Sequence, residues 1–558
     1  MSTKKRLHEA LRLAGQGNLP PALEVLRLAV REDPDDPEAH NCLGAVQYSA
    51  KLFEEADVSF RRALEIYPTF PEALNNLGVL LLDRQSPSEA KDCFLRAVQA
   101  RPDYAAAYNN LGLVLVKEQR WSEAEASFRR AAVINPCFAE PFNNLGLLFK
   151  DTNRSKEATN CLFRAVKLNP GFAEAHNNLG TVLTDLARFD LAQLCFEQAA
   201  RLKPVYPDPH HNLGIVFVAT QRLEQAEACF SRALELRPDY SEAQFALASL
   251  HLLQGRYEKG WEKYDKWRIK KYGPNQPNLR RWQGEYLAGN SILLYYEQGF
   301  GDTLHFVRYA PLVAKLTDKT GLWVQKPLQR LMASSFPFLD VHCSEEMPVR
   351  HFTFGCPLPS LPKVFQTTED DIPRTSPYIK PAAAVSRKWA EVLARADGGT
   401  AYRIGAVWAG NPDHHNDRNR SIPMAIFKAL FAITGMVSWV SLQTGDRSSD
   451  LKTGSAQVFD WSGQLDDFAE TAGLMENLDL VITVDSAVAH LAGAMGKKTW
   501  LLLPYAPDWR WQLNREDTPW YPTMRLFRQN QPGDWPEVLQ RVKQALAEYL
   551  PAGNKPRL

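Results

Sequence analysis

Three stretches in the distal half of the chain hold side chains suited to chemistry on a phosphorylated substrate. Asp485-Ser486-Ala487 follows an apolar run at 480–484 and opens a helical pattern. A strand ending there frees backbone amides at the positive end of a helix dipole, a geometry that attracts phosphate. Ser486 adds a hydroxyl donor. The same pair would also cap a helix start, and the residue types leave both roles open. A basic loop carries Arg418 and Arg420. Arginine offers phosphate a bidentate fork, although Asp413 and Asp417 could neutralise the loop locally. The third stretch is Gly299-Phe300-Gly301-Asp302. Its glycines permit a tight turn and a close approach, and Asp302 is either a carboxylate at the mouth of a cleft or a helix cap. His414 and His415 are adjacent, but nothing nearby supplies a third ligand, so no metal is expected.

These stretches need strands and helices to hold them. From residue 291 onward the pattern alternates buried strand and helix, with strands expected at 291–296, 321–325, 403–408, 437–442, 480–484 and 499–503. Helices are expected at 423–433 and 487–495. Two such series, joined near Asp397-Gly398-Gly399, imply two doubly wound α/β lobes facing a cleft.

The first half follows a different rule. Pro34, Pro68, Pro102, Pro136, Pro170, Pro204 and Pro238 recur every 34 residues. Glycines 44, 78, 112, 146, 180 and 214 and alanines 22, 56, 90, 124, 158, 192 and 226 keep the same step. The period matches the helix-turn-helix unit of tetratricopeptide repeats. Proline ends the second helix of each unit, small residues let helices approach, and Phe60, Phe94, Phe128, Phe196 and Phe230, with Leu162 once, are expected to fill the space between pairs. Gly260, Tyr264 and Trp267 mark an atypical, bulky last repeat suited to docking on another domain. Asn76, Asn110, Asn144, Asn178 and Asn212 share one register and are expected to form a ladder along the inner surface, where their amides could bind an extended peptide.

Lys plus Arg at 65 nearly balances Asp plus Glu at 64, so bulk charge offers no footprint for nucleic acid. No apolar run reaches the length of a membrane span, and the start lacks a leader pattern, which points to a cytoplasmic protein. Cys93, Cys161, Cys195 and Cys229 share a repeat register, which marks them as packing residues with no disulfide or zinc spacing.

Val407-Trp408-Ala409-Gly410-Asn411-Pro412, Asp417-Arg418-Asn419-Arg420-Ser421-Ile422-Pro423 and Val484-Asp485-Ser486-Ala487-Val488-Ala489-His490-Leu491-Ala492-Gly493 occur in that order after Gly299-Phe300-Gly301-Asp302. Together they resemble the ADP-heptose:lipopolysaccharide heptosyltransferase family of GT-B glycosyltransferases. Over nearly its whole length, including 505–529, the chain is similar to bacterial tetratricopeptide-repeat proteins that end in a heptosyltransferase-like domain. The resemblance implies a nucleotide-diphosphate sugar held by the second lobe. Donor phosphates would meet Ser486, Ala487, Val488, His490, Arg420 and its second, Arg418. Arg420 stands where the family has lysine. The nucleobase and ribose would lie near Gln443, Asp466 and Asp485. Asp302 would be the general base, with Gly301, Glu297 and Gln298 toward the acceptor. Trp509, Arg510 and Trp511 form an aromatic and basic cluster beside the cleft. The family's Asp-Thr-Gly is Asp-Ser-Ala here, so the donor sugar stays open.

The expected architecture is multidomain: an all-α superhelix of about seven to eight repeats at 1–270, a linker at 271–290, a GT-B fold of two Rossmann-like lobes at 291–398 and 399–550, and a tail at 551–558. The expected function is metal-independent, inverting glycosyl transfer, without a cofactor, to a protein or peptide acceptor recruited by the repeats. The alternatives are a non-catalytic interaction scaffold and a transferase acting on a lipid-linked or free glycan. The oligomeric state is not legible.

Overall fold

The computed structural model describes residues 3–272, 278–399, 402–414, 416–433, 437–453 and 458–550. The chain divides into two compact units, Met1–Leu213 and Gly214–Leu558. Among the described residues the first half is sixteen helices in consecutive pairs, from α1 (Thr3–Gly15) through pairs such as α3 (Pro37–Ser49) with α4 (Phe53–Ile66), to α16 (Tyr257–Tyr272).

The periodic residues have local reasons. A Cβ on Gly44 would lie 2.6 Å from the Phe60 ring, and one on Gly112 would lie 2.5 Å from Phe128. The aromatic rings therefore fill space inside a helix pair, against the glycine of the partner helix, rather than between pairs as the sequence suggested. Each clock proline sits one residue beyond the helix cap; Pro68, for example, follows cap residue Tyr67, where a helix cannot continue. The turn inside each pair places Lys51, Gln85, Gln119, Asn153, Ala187 and Gln221 at positive φ, between 54° and 61°. Gly17 and Gly255 occupy the same position at the two ends. The next amide reaches back five residues, as Leu52 N–H does to the Gln47 carbonyl at 2.9 Å, which closes a Schellman turn.

The second unit contains two parallel sheets. The first has the order β1 (Arg280–Arg281), β5 (Phe354–Pro357), β2 (Ser291–Tyr295), β3 (Lys319–Trp323), β4 (Asp340–His342). The second has the order β11 (Met524–Arg528), β10 (Thr499–Leu503), β9 (Leu480–Val484), β6 (Tyr402–Val407), β7 (Val437–Ser441), β8 (Val458–Asp460). Both read as Rossmann-like lobes. The stretch expected as a linker contributes β1, paired with β5. Around the first sheet lie α17 (Phe300–Phe306), α18 (Ala310–Ala314), α19 (Gln329–Ser335) and α20 (Leu361–Val364). α21 (Ala383–Asp397) leads to the second sheet, whose helices are α22 (Asp417–Arg420), α23 (Met424–Phe427), α24 (Phe468–Glu476), α25 (Ala487–Ala494) and α26 (Trp535–Tyr549). The helix expected at 423–433 is regular only over α23.

The last helical pair belongs to this second unit. Trp261 of α16 packs edge-on against Trp509 at 5.3 Å and donates from its indole to the Thr367 carbonyl at 3.0 Å. Beside it, buried Asp265 accepts from Arg281 at 2.7 Å, Ser360 at 2.6 Å and Lys363 at 2.9 Å, and buried Arg268 pairs with Glu297. Charges removed from water in this way depend on opposite charges at contact distance.

Candidate functional site

In an open parallel sheet, ligands bind beyond the carboxyl ends of the strands, where the strand order reverses direction. In the second sheet that point lies between β6 and β9, whose register pairs Val407 with Thr483. The segments leaving those two strands, 408–420 and 485–490, therefore emerge side by side. In the first sheet the reversal lies between β2 and β5, and β2 runs into the segment that ends at Asp302.

The loop after β6 is tightly held. Gln443 Oε1 accepts from the Trp408 and Ala409 amides at 3.3 and 3.0 Å. The Gly410 amide donates to Ser421 Oγ at 2.9 Å, and that hydroxyl donates to buried Asp417 at 2.7 Å. A Cβ on Gly410 would fall 2.7 Å from the Arg420 guanidinium, so only glycine lets the arginine lie across the loop. Arg420 Nε pairs loosely with Asp417 Oδ1 at 3.5 Å, and the arginine side chain is 13% exposed.

Opposite it, α25 begins at Ser486. No side chain caps this helix, so the amides of Ala487 and Val488 keep their donor capacity at the positive helix end. Ser486 Oγ lies 3.4 Å from Thr483 Oγ1. The Asp485 carboxyl is pushed up to about 6, mainly by burial and then by the charge of Asp508, against the pull of Arg420, the Trp511 indole and Arg510. Arg420 also acts on His490, so its charge reaches both residues flanking the amino end of α25.

The first lobe meets this end directly. A Cβ on Gly301 would lie 2.8 Å from the His490 ring and 3.8 Å from the Ala487 Cα. One residue on, Asp302 accepts from Arg510 Nη2 at 2.5 Å, while Arg510 Nη1 donates to Asp508 at 2.8 Å. Burial raises the Asp302 pKa above the usual carboxylate value, outweighing the Arg510 charge. The Arg510 guanidinium lies over Trp509 at 4.3 Å, and Trp511 stacks on His490 at 5.3 Å.

Asp302, Gly301, Arg420, Asp485, Ser486, Ala487, Val488 and His490 thus share one locality. Other residues singled out in the sequence lie elsewhere or are engaged. Arg418 is exposed on α22. Gln443 is buried and braces the loop after β6. Asp466 is exposed ahead of α24, and its neighbour Asp467 caps that helix and accepts from Arg330 at 2.9 Å. Glu297 pairs with Arg268, and Gln298 accepts from Tyr264 at 3.0 Å. His415 lies outside the described residues. No group of three or more His, Cys, Asp or Glu side chains forms a metal cluster among the described residues.

In the repeat unit, Asn76, Asn110, Asn144, Asn178 and Asn212 form a continuous chain of contacts. Each donates from its side-chain amide to the buried asparagine of the preceding repeat, from Asn76 to Asn41 at 3.0 Å through Asn212 to Asn177 at 2.9 Å. One N–H of each side-chain amide thereby helps to hold the repeats in register.

Arg510, Asp508, His305 and Tyr521 had no assigned role from sequence. A signal was present only for the first two, as a carboxylate and an arginine two residues apart among tryptophans.

Tetratricopeptide-repeat models match residues 7–71, 75–136 and 211–277, and a second such model matches 173–206. Protein FlbA of Caulobacter vibrioides (strain ATCC 19089 / CIP 103742 / CB 15) is 26% identical over 340 residues, covering 55% of this chain and 55% of that protein. The match thus spans about half the length of this curated relative. Among solved structures, the Cut9-Hcn1 hetero-tetramer of the APC/C aligns with 16% identity over 43% of this chain and 48% of that one, TM-score 0.41. Pseudomonas aeruginosa pilF aligns with 21% identity over 38% and 96%, TM-score 0.35. The pilus biogenesis factor PilW aligns with 22% identity over 39% and 99%, TM-score 0.35. Among the described residues no helix is long and apolar enough to cross a membrane. The chain carries an amino-terminal array of tetratricopeptide repeats followed by an α/β region of two parallel sheets, and is distantly similar to FlbA.

Proposed function

We propose that the α/β region is a glycosyltransferase of GT-B type that moves a sugar from a nucleotide-diphosphate sugar to an acceptor with inversion at the anomeric carbon. The observation that carries this reading is the apposition of Asp302 to the uncapped amino end of α25, with Arg420 on the far side. The acceptor hydroxyl or amide attacks the anomeric carbon, its proton passes to the Asp302 carboxylate, and the carbon–oxygen bond to the diphosphate breaks. The raised pKa of Asp302 suits a general base. Charge developing on the departing diphosphate meets the α25 amides, Ser486, His490 and the Arg420 fork, which stabilises the transition state. Arg420 and a helix end supply that positive charge, so the reading needs no metal. The repeat array is proposed to recruit a protein or peptide acceptor. With one N–H of each NH2 engaged, the ladder asparagines would offer an extended chain their second N–H and their carbonyl oxygens.

A second reading, a non-catalytic interaction scaffold, is favoured by one observation: Arg510 already occupies an oxygen of Asp302. Calorimetric titration of the full-length protein with a panel of nucleoside diphosphates and nucleotide-sugars, without metal, decides between them. Micromolar binding of one nucleotide class supports the transferase, and no binding across the panel supports the scaffold.

A further inference from the structure

Two histidines from different lobes share one tyrosine. His305 Nδ1 of α17 lies 3.0 Å from the Tyr521 hydroxyl, and His490 Nδ1 of α25 lies 2.9 Å from the same oxygen. All three residues are buried. Burial and nearby arginines hold both imidazoles well below their ordinary pKa, so each carries one ring proton. The Tyr521 hydroxyl also meets the Tyr378 hydroxyl, so its single proton has two possible acceptors, His490 or His305 Nδ1 and the Tyr378 oxygen.

The outer edges of the rings decide the direction. His305 Nε2 is sealed from solvent without a partner. A proton there would be a buried N–H with no acceptor, which costs more than a bare lone pair in that packed setting. His305 therefore carries its proton on Nδ1 and donates it to Tyr521, and Tyr521 donates onward to His490 Nδ1, a stronger acceptor than the Tyr378 oxygen, which already accepts from Arg308 at 3.0 Å and whose own proton goes to the Leu304 carbonyl at 2.9 Å. The His490 proton is left on Nε2. That atom lies 3.5 Å from where a Gly301 Cβ would stand, between the Gly301-Asp302 turn and the start of α25.

We propose that Tyr521 and His305 are positioning residues that set His490 as an Nε2–H donor to an anionic phosphate at the amino end of α25. Resting on the glycosyltransferase reading for its ligand, the arrangement adds a neutral donor of fixed polarity, which cannot turn into an acceptor facing the phosphate. Tyr521 could not do this if it merely packed.

The test uses the full-length protein and inorganic pyrophosphate as the probe. Tyr521→Phe is expected to lower pyrophosphate affinity about 10-fold, the worth of a hydrogen bond to a charged group. In a His490→Gln background, whose amide presents an N–H without any tautomer to set, Tyr521→Phe is expected to change affinity less than 2-fold. An equal loss in both backgrounds overturns the proposal in favour of simple packing. Nitrogen-15 spectra of histidine-labelled unaltered protein, with His490 assigned by its substitution, read the tautomer independently of any fold effect. The Nε2–H form supports the relay, and the Nδ1–H form overturns it. Failure of the unaltered protein to bind pyrophosphate overturns the phosphate site itself, an outcome the spectra distinguish from failure of the relay alone.

Discussion

Arg510 donates to Asp302 at 2.5 Å across a sequence separation of 208 residues, and its other terminal nitrogen holds Asp508 at 2.8 Å. One guanidinium thus compensates two carboxylates from different lobes. Its removal should be costly: Arg510→Ala is expected to destabilise the α/β region by about 2–3 kcal/mol by leaving two part-exposed carboxylates without their shared cation. Asp302→Asn, which leaves Arg510 with Asp508, should cost about 1 kcal/mol. Urea denaturation followed by tryptophan fluorescence separates the two, and equal costs would show that the bridge contributes little.

The same pair bears on catalysis. Asp302→Asn is expected to abolish transfer while leaving nucleotide-sugar affinity within about 3-fold, as a lost general base does. Because burial raises the Asp302 pKa, the acid limb of the rate profile should lie above the ordinary carboxylate range, with the rate rising as pH increases through it. Steady-state rates against pH, beside calorimetric affinity, measure both effects.

Arg420 lies across Gly410 with its Nε held only loosely by Asp417 at 3.5 Å. Arg420→Ala is expected to weaken diphosphate binding at least 10-fold, since a charge-assisted fork contributes more than a neutral hydrogen bond. Arg420→Lys should recover only part of that affinity. Equal affinity for all three proteins would remove Arg420 from the site.

Asp485 titrates near 6 in the folded chain against 3.8 for an unperturbed aspartate. The folded state therefore holds this proton more tightly, and stability is lost as pH rises from about 4 to 6, then levels. Asp485→Asn lacks that loss. Relative to the parent it should gain about 1–2 kcal/mol at pH 7.5, allowing for solvent screening of a half-buried carboxylate, and nothing near pH 4. Thermal midpoints of the two proteins across this range test the sign and the window.

Ala187 adopts φ 54° in a turn whose terminal counterparts, Gly17 and Gly255, are glycine. Ala187→Gly is expected to stabilise its repeat by about 0.5–1 kcal/mol, the relief of left-handed strain exceeding the added chain entropy. Hydrogen exchange at the amides of residues 173–202 should slow correspondingly.

The repeat array was legible because proline, glycine and alanine each have a mechanical reason to recur. The left-handed turn position was not, because lysine, glutamine, asparagine and alanine alternate there and no residue type marks it. Strands β2, β6, β7, β9 and β10 announced themselves as apolar runs. β1 has two residues, both arginine, and exists only through pairing with β5; β11 interleaves arginines at its exposed positions. Within the site, Asp302, Arg420 and Asp485 could be read from their places after expected strands. The partners that tune them could not: His305 meets Tyr521 across 216 residues, a contact that only tertiary packing creates. Gln443, read as a nucleotide contact, has its side-chain oxygen committed to two backbone amides.

The last helical pair, welded to the α/β sheets by Trp261 and the Asp265 charge cluster, limits how such a gene can evolve. Whole 34-residue modules upstream can be duplicated or deleted by recombination, lengthening or shortening the array one cassette at a time. The terminal module cannot be exchanged for a generic one without emptying an aromatic socket and orphaning three ionic side chains, Arg281, Lys363 and Glu297. Lineages should therefore differ in repeat number near the amino end and keep an invariant junction at the other.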